Sequence, residues 1–160
     1  MKKEEKEKLA KKAYQMAFDY ERKYGCCPQC VLTTIKETVG FVTDETIKAS
    51  HGLSGGGGLS GAGTCGALTG GLMALSCKRG RPRNRFGWGA FINNFKVGND
   101  LVERFQKEFG DVTCQHLQQK FTGRTYNMWD KKEFAEFDKA RTDQCARATA
   151  LVTQWVIELL

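Results

Sequence analysis

Histidine is scarce in this chain of 160 residues, with His51 and His116 the only two. Neither belongs to an H-E-x-x-H sequence or a triad-like set, so a hydrolase is disfavoured. His51 reads as a helix-end residue in a favourable dipole contact. His116 reads as a solvated helix histidine, with an alternative role as metal ligand or base because it stands two residues after Cys114. No G-K-[ST] sequence is present, which removes a P-loop. No apolar run approaches the length of a membrane span, and Met1-Lys2-Lys3-Glu4-Glu5 has no apolar leader core. A cytoplasmic protein without membrane insertion is therefore expected. Alternating strand patterns, internal repeats and heptad series are also lacking.

What is present suits one domain over residues 1–160, since a chain of this length with 41% hydrophobic residues can bury a core without staples. The cysteine count is seven, an odd number, and structural disulfides are rare in the cytosol, so a disulfide framework is a poor reading. The net charge of +7 draws on a mixed Lys/Glu first helix and a basic cluster at 78–85, and reads mainly as a solubility feature.

The periodicity predicts an all-α, compact bundle of about six or seven helices with a glycine-rich loop. An amphipathic first helix covers about residues 4–23, with Leu9, Ala13, Met16, Ala17, Tyr20 and Tyr24 on its apolar face and the lysines and glutamates opposite. Cys27, standing before Pro28, reads as the N-cap of a helix over about 28–39. Thr43 or Asp44 caps a shorter helix to about Ser50. Ten of the twenty residues 52–71 are glycine. Thr64 can cap the next helix, with Cys65 in its first turn and Leu68, Leu72, Met73 and Leu75 for the core. Gly70 and Gly71 inside that helix suggest close backbone packing, since each costs about 1 kcal/mol relative to Ala. A helix over about 91–109 presents Leu101, Val102, Phe105 and Phe109. Thr113 caps a short helix with Cys114 in its first turn, and Asp130 caps one over about 131–140 that packs Phe134 and Phe137. Thr142 or Asp143 caps the last helix, with Cys145 in its first turn and Leu151, Val152, Trp155 and Leu159 inward.

Four cysteines thus fall at helix starts, where unpaired N–H groups and the helix dipole push a thiol toward the thiolate. Cys27-Pro28-Gln29-Cys30 is also a C-x-x-C, which suits a redox dithiol or two metal ligands and makes Cys30 a candidate further ligand. Val31 stands where haem attachment needs His, and the missing strands argue against a thioredoxin-like domain. Cys77 reads as a small core hydrophobe and Cys26 as a spare thiol. Gly61-x-Gly63-x-x-Gly66 satisfies a dinucleotide-binding pattern but follows no strand. These three glycines are better read as bringing backbone N–H groups close to the thiols or to the sulfurs of a cluster.

The set Cys27, Cys65-Gly66-Ala67-Leu68-Thr69-Gly70, Cys114 and Cys145 resembles the C_GCAxxG_C_C family of redox-active proteins, with the motif-bearing core at 25–145 after the N-terminal helix of 1–24. Glu103-Arg104-Phe105-Gln106-Lys107-Glu108-Phe109-Gly110 also looks like that family, which is related to part of the split-Soret cytochromes. The resemblance implies that Cys27, Cys65, Cys114 and Cys145 are the functional thiols. Cys26, Cys30, Cys77, the basic loop and the segment 119–141 look less typical of it.

Two chemistries fit, an iron–sulfur cluster for electron transfer or metal-free thiol–disulfide exchange. A structural zinc site is a third reading. A redox partner protein is expected but not identified, and a homo-oligomer is left open. Arg79-Gly80-Arg81-Pro82 resembles an AT-hook, the one nucleic-acid signal, yet it is single and lies between apolar helices. A loop over an anionic partner or at the site entrance is the preferred reading. Binding to A·T-rich duplex should accordingly be weak, steeply salt-dependent and indifferent to sequence in a filter or anisotropy titration. Tight binding abolished by Arg81→Ala would instead make this loop a DNA reader.

Overall fold

The computed structural model describes residues 2–160. Among them lie eight α-helices: α1 Lys3–Tyr24, α2 Cys27–Val39, α3 Asp44–Ala49, α4 Gly66–Arg79, α5 Ile92–Phe109, α6 Cys114–Thr122, α7 Lys131–Ala140 and α8 Gln144–Leu159. The fold is all-α, as the periodicity predicts, with more helices than the six or seven expected. The short α3 and α6 stand as separate elements because each has its own threonine cap. Thr43 Oγ1 accepts from the Thr46 N–H, and Thr113 Oγ1 from that of His116.

The apolar stripe of α1 differs from the expected one. Ala10, Ala13, Ala17 and Glu21 are buried, whereas Tyr24 is 66% exposed. Small side chains win this face because α8 lies along it, and α8 itself buries small residues, among them Ala146, Thr149, Ala150 and Thr153, so the two backbones can approach closely. Glu21, read above as a residue of the solvated face, goes inward with the alanines.

Helix α4 runs through the middle, against α2, α5 and α8. Its glycines are contact points. A Cβ on Gly70 would lie 2.8 Å from Pro28 Cα and 2.9 Å from the Pro28 carbonyl oxygen. One on Gly71 would lie 2.5 Å from Val152 Cγ1 and 2.8 Å from Leu101 Cδ2. The core around α4 is built from Leu32, Ile35, Leu68, Leu75, Leu101, Phe105, Phe109, Val152 and Val156, all buried. Leu72 and Met73 are half-buried, and Cys77 is exposed. That corrects the reading of Cys77 as a core residue: near the end of α4 its position falls on the solvent side, while Ser76 and Arg79 bond to Asn94 and Leu160. Phe137 is buried, but Phe134 is 43% exposed.

Because Gly70 faces rigid backbone, an added methyl cannot be absorbed by a rotamer change. Gly70→Ala should destabilise by about 1–3 kcal/mol through overpacking, despite a helix-propensity gain of about 1 kcal/mol. Chemical denaturation would check this. A stabilised variant would show that α2 and α4 are not in the close contact described.

Candidate functional site

The glycine-rich loop forms its own hydrogen-bonded scaffold. Gly55, Gly56, Gly57 and Gly58 all have positive φ, which turns the chain so that Gly58 N–H meets the Gly52 carbonyl (2.7 Å) and Gly61 N–H the Gly55 carbonyl (2.8 Å). The loop then pairs with the segment before α6. Thr64 and Thr113 form an isolated antiparallel bridge. Around it Cys65 N–H donates to Val112 (2.7 Å), Cys114 N–H to Gly63 (3.0 Å) and Gln115 N–H to Gly61 (2.8 Å). Residues flanking an antiparallel pair share a face, so this bridge sets Cys65 and Cys114 as diagonal neighbours.

Thr64 is therefore engaged in the bridge, and the N-cap of α4 is Cys65 itself. Similarly, Cys26 rather than Cys27 is the N-cap of α2. Gly25 and Cys26 both take positive φ and turn the chain sharply out of α1, which leaves Cys27 as the first helical residue and Pro28 next. Gly66 packs under this turn, with its absent Cβ 3.4 Å from Cys27 Cβ and 2.8 Å from Pro28 Cδ. At the far side, Asp143 caps α8 without a side-chain hydrogen bond, and Cys145 lies in the first turn.

These helix starts surround one cavity of about 440 Å³, which Cys27, Cys114 and Cys145 line together with Cys26, Gly66 and Met128. Cys65 is 7% exposed and sits behind Cys27 and Cys114, close enough that a charge on any one of the three would be felt by another. All seven cysteines are free thiols. Cys30 turns away from the cavity and donates to the Gly25 carbonyl (2.9 Å), and Cys77 is at the other end of α4. Gly66 lines the cavity. Gly61 and Gly63 act one step back, holding α6 through the bridge, and not as a direct lining.

Two charged residues complete the site, and neither was singled out in the sequence. Glu21 is 2% exposed; its Oε1 accepts from the Cys27 thiol (3.5 Å) and from Arg141 Nη1 (3.3 Å), and its Oε2 has no partner. Arg141 is anchored in turn on Asp138 Oδ1 by Nε (2.9 Å) and Nη2 (2.6 Å). The helical spacing 10, 13, 17, 21 would have placed Glu21 with the buried alanines, whereas nothing in the local pattern marks Arg141. Gln118, also buried, donates to Cys114 Sγ (3.6 Å) and Met128 Sδ (3.6 Å) while its Oε1 accepts from Tyr126 N–H (2.9 Å).

The expected push toward thiolate is overridden. Burial raises Cys27 well above the ordinary thiol range, with the Glu21 carboxylate and the other three thiols adding repulsion. Burial raises Cys65 too, although the N–H groups of Ala67 and Leu68 at the start of α4 oppose it. Cys114 is raised by burial against the pull of Gln118 and Arg141. Cys145 is pushed up to about 11 by burial, with Arg141 pulling the other way. Burial likewise raises Glu21 above the usual carboxyl range, against the attraction of Arg141. Desolvation of an anion outweighs one helix terminus, so helix-start position alone does not make these thiols reactive.

Among the described residues, no group of three or more His, Cys, Asp or Glu is placed to hold a metal ion, and His116 stands exposed on α6. Three of the four thiols, Cys27, Cys114 and Cys145, line the common cavity and Cys65 stands behind them, an all-thiol donor set of the kind an iron–sulfur cluster uses. No helix among the described residues is long and apolar enough to cross a membrane.

In comparison with known proteins, residues 24–159 match the family described as "Putative redox-active protein (C_GCAxxG_C_C)". No curated protein and no solved structure matches the chain.

Alkylation reads the thiolate, so its rate orders the cysteines. Iodoacetamide at pH 8 should label exposed Cys77 well before Cys145, and Cys145 labelling should climb steadily as pH rises toward about 11. Arg141→Gln should slow Cys145 at fixed pH, because the neighbour that favours its anion is gone. Peptide mass mapping over time would measure this, and fast labelling of Cys145 at neutral pH would contradict the burial argument.

Proposed function

The chain belongs to the C_GCAxxG_C_C family, and on that premise we propose that Cys27, Cys65, Cys114 and Cys145 form one redox centre that holds an iron–sulfur cluster. The observation that supports this reading is that Cys27, Cys114 and Cys145 line one cavity and Cys65 lies close enough behind for its charge to be felt at Cys27. Four thiols this close together and largely shielded from water are costly to ionise together, because desolvation and mutual repulsion both oppose it. A centre carrying several cations removes both costs at once, and a single dithiol has no need of four. Bound there, a cluster would supply one-electron storage and transfer.

The protein's own contributions follow from the contacts described. The N–H groups of Ala67 and Leu68 favour negative charge on Cys65, and Gln118 does the same for Cys114. Such hydrogen bonds to sulfur raise a reduction potential. Arg141 favours the anion at Cys145, and Glu21 stands ready to accept the proton that Cys27 must lose before it ligates. Met128 and Trp129 cover one side of the cavity, with Trp129 Nε1–H donating to the Gly58 carbonyl (3.1 Å), which limits water around the sulfurs. Electrons would pass to or from a partner protein in the cytoplasm.

A second reading rests on the bridge. Cys65 and Cys114 are held as diagonal neighbours, an arrangement that suits a dithiol losing two electrons and two protons to a disulfide acceptor. The two readings separate on metal. Protein purified anaerobically and supplied with iron and sulfide should be coloured, and Cys27→Ser, Cys65→Ser, Cys114→Ser and Cys145→Ser should each reduce iron content and visible absorbance by more than half, while Cys77→Ser changes neither. Protein that stays colourless and iron-free yet cycles between thiol and disulfide forms would establish exchange.

A further inference from the structure

The connection between α4 and α5 takes no part in the thiol cavity. It leaves the far end of α4, whose 14 residues put it about 21 Å from Gly66 at 1.5 Å per residue. None of residues 78–96 lines the cavity, which removes the site-entrance reading of the basic loop and leaves that of an anionic partner. This segment carries six cationic side chains and no carboxylate, and no Asp or Glu occurs from Thr46 to Asn99. Nearly all of the net charge of +7 therefore collects at one end of the molecule.

The same end exposes apolar surface. Residues 81–90 are all exposed, with Phe86 at 54% and Trp88 at 77%, and the first turn of α5 adds Ile92 at 55% and Phe95 at 64%. Four of the seven exposed large hydrophobics among the described residues thus lie within ten positions. They are held in an organised loop. Arg81 Nη1 donates to the carbonyls of Phe86 and Gly89, both at 3.2 Å, and Asn94 Nδ2 donates to Ser76 Oγ (3.1 Å) across the base. Arg81 and Arg83 lie over the Phe86 ring and Arg85 over Trp88. Among the described residues, Lys78, Arg81, Arg83, Arg85 and Lys96 take part in no ion pair.

We propose that this end is a peripheral docking surface for an anionic lipid bilayer, with Phe86, Trp88, Ile92 and Phe95 entering the headgroup boundary and the cations over lipid phosphates and carboxylates. Charge complementarity carries the choice of occupant. Cations without carboxylates are drawn to an anionic leaflet, and Trp and Phe favour the boundary between headgroup and acyl chain. A second copy of this chain is a poor occupant, because a twofold contact would set each cationic patch against itself. Nucleic acid is a poor one too. The Phe86 ring already carries two guanidiniums, and Ile92 offers no face on which a base could stack. Docked this way, the thiol cavity at the opposite end of α4 stays open to solvent.

Co-sedimentation of the full chain with vesicles tests the proposal independently of any redox chemistry. Partitioning into vesicles of equal parts phosphatidylserine and phosphatidylcholine should exceed that into phosphatidylcholine alone by at least about tenfold, and should fall as salt rises. Arg83→Gln with Arg85→Gln should lower it by about thirtyfold. Trp88→Ala with Phe95→Ala should lower it several-fold at unchanged charge, and Cys65→Ser should leave it as it is. Equal partitioning into both vesicle types, or an aromatic double variant that binds like the parent, would overturn the proposal. So would tight binding to a single-stranded oligonucleotide with no vesicle binding.

Discussion

The antiparallel bridge between Thr64 and Thr113 is the contact on which the candidate site depends. Helix starts distant in sequence have no local reason to meet. Three backbone hydrogen bonds around this bridge, from Cys65, Cys114 and Gln115, tie the start of α4 to the start of α6 and fix two cysteines on one face. Backbone contacts of this kind demand that both chains come close, which is what the glycines before Cys65 permit. A side chain on Gly56 would lie 3.1 Å from Cys114 Cβ and 2.9 Å from the Gly61 carbonyl carbon. Gly56 and Gly63 are thus steric requirements of the pairing, whereas Gly57, Gly58 and Gly61 are required by their positive φ.

Once the thiols are gathered, electrostatics sets what they can do. Cys65 is buried and Cys27, Cys114 and Cys145 are half-buried, so desolvation favours the neutral thiol at each, and ionising one makes the next harder to ionise. Glu21 adds to that difficulty at Cys27, and Arg141 relieves it at Cys145 and Cys114. The pair Glu21 and Arg141 nearly cancels in charge, yet Glu21 Oε2 remains buried without a partner. An unsatisfied carboxylate oxygen costs about 1–3 kcal/mol or more. The contacts that Glu21 does make are to the Cys27 thiol and to Arg141, which ties its place in the fold to the thiols.

Much of the fold was legible because helix periodicity, caps and glycine stops agree in this sequence. Thr43, Thr113 and Asp130 cap the helices assigned to them, and Gly70 and Gly71 mark close contacts as their position inside an apolar helix implied. The errors have physical causes. The expected stripe of α1 shares Ala13 and Ala17 with the buried face, but α8 packs on the small side chains, so Leu9, Met16 and Tyr20 stay half-buried, Tyr24 is exposed and Glu21 is buried. Thr64 has the chemistry of a cap, yet a bridge claims it and leaves Cys65 at the cap position. Cys77 sits in an apolar run but on a side of α4 that faces solvent. For the site, the four cysteines could be picked out as helix starts. Their ionisation could not, because burial depends on which helices close over them, and Arg141 carries no pattern that links it to Cys145.

Helix α4 connects two regions of opposite character. At its start lie the buried thiols, a loop of backbone N–H groups and almost no net charge of side chains, since Glu21 and Arg141 oppose one another. At its end lie the cations and exposed aromatics of the segment that leads into α5. Had those cations stood beside the cavity, they would have lowered every thiol's pKa and offered an alternative way to stabilise the anions. Placed a helix length away and screened by solvent over about 8–10 Å, they cannot. The thiols are therefore left to whatever counter-charge the cavity itself admits, and the neutral, buried character of the site follows from where the charge was put as much as from where the cysteines were.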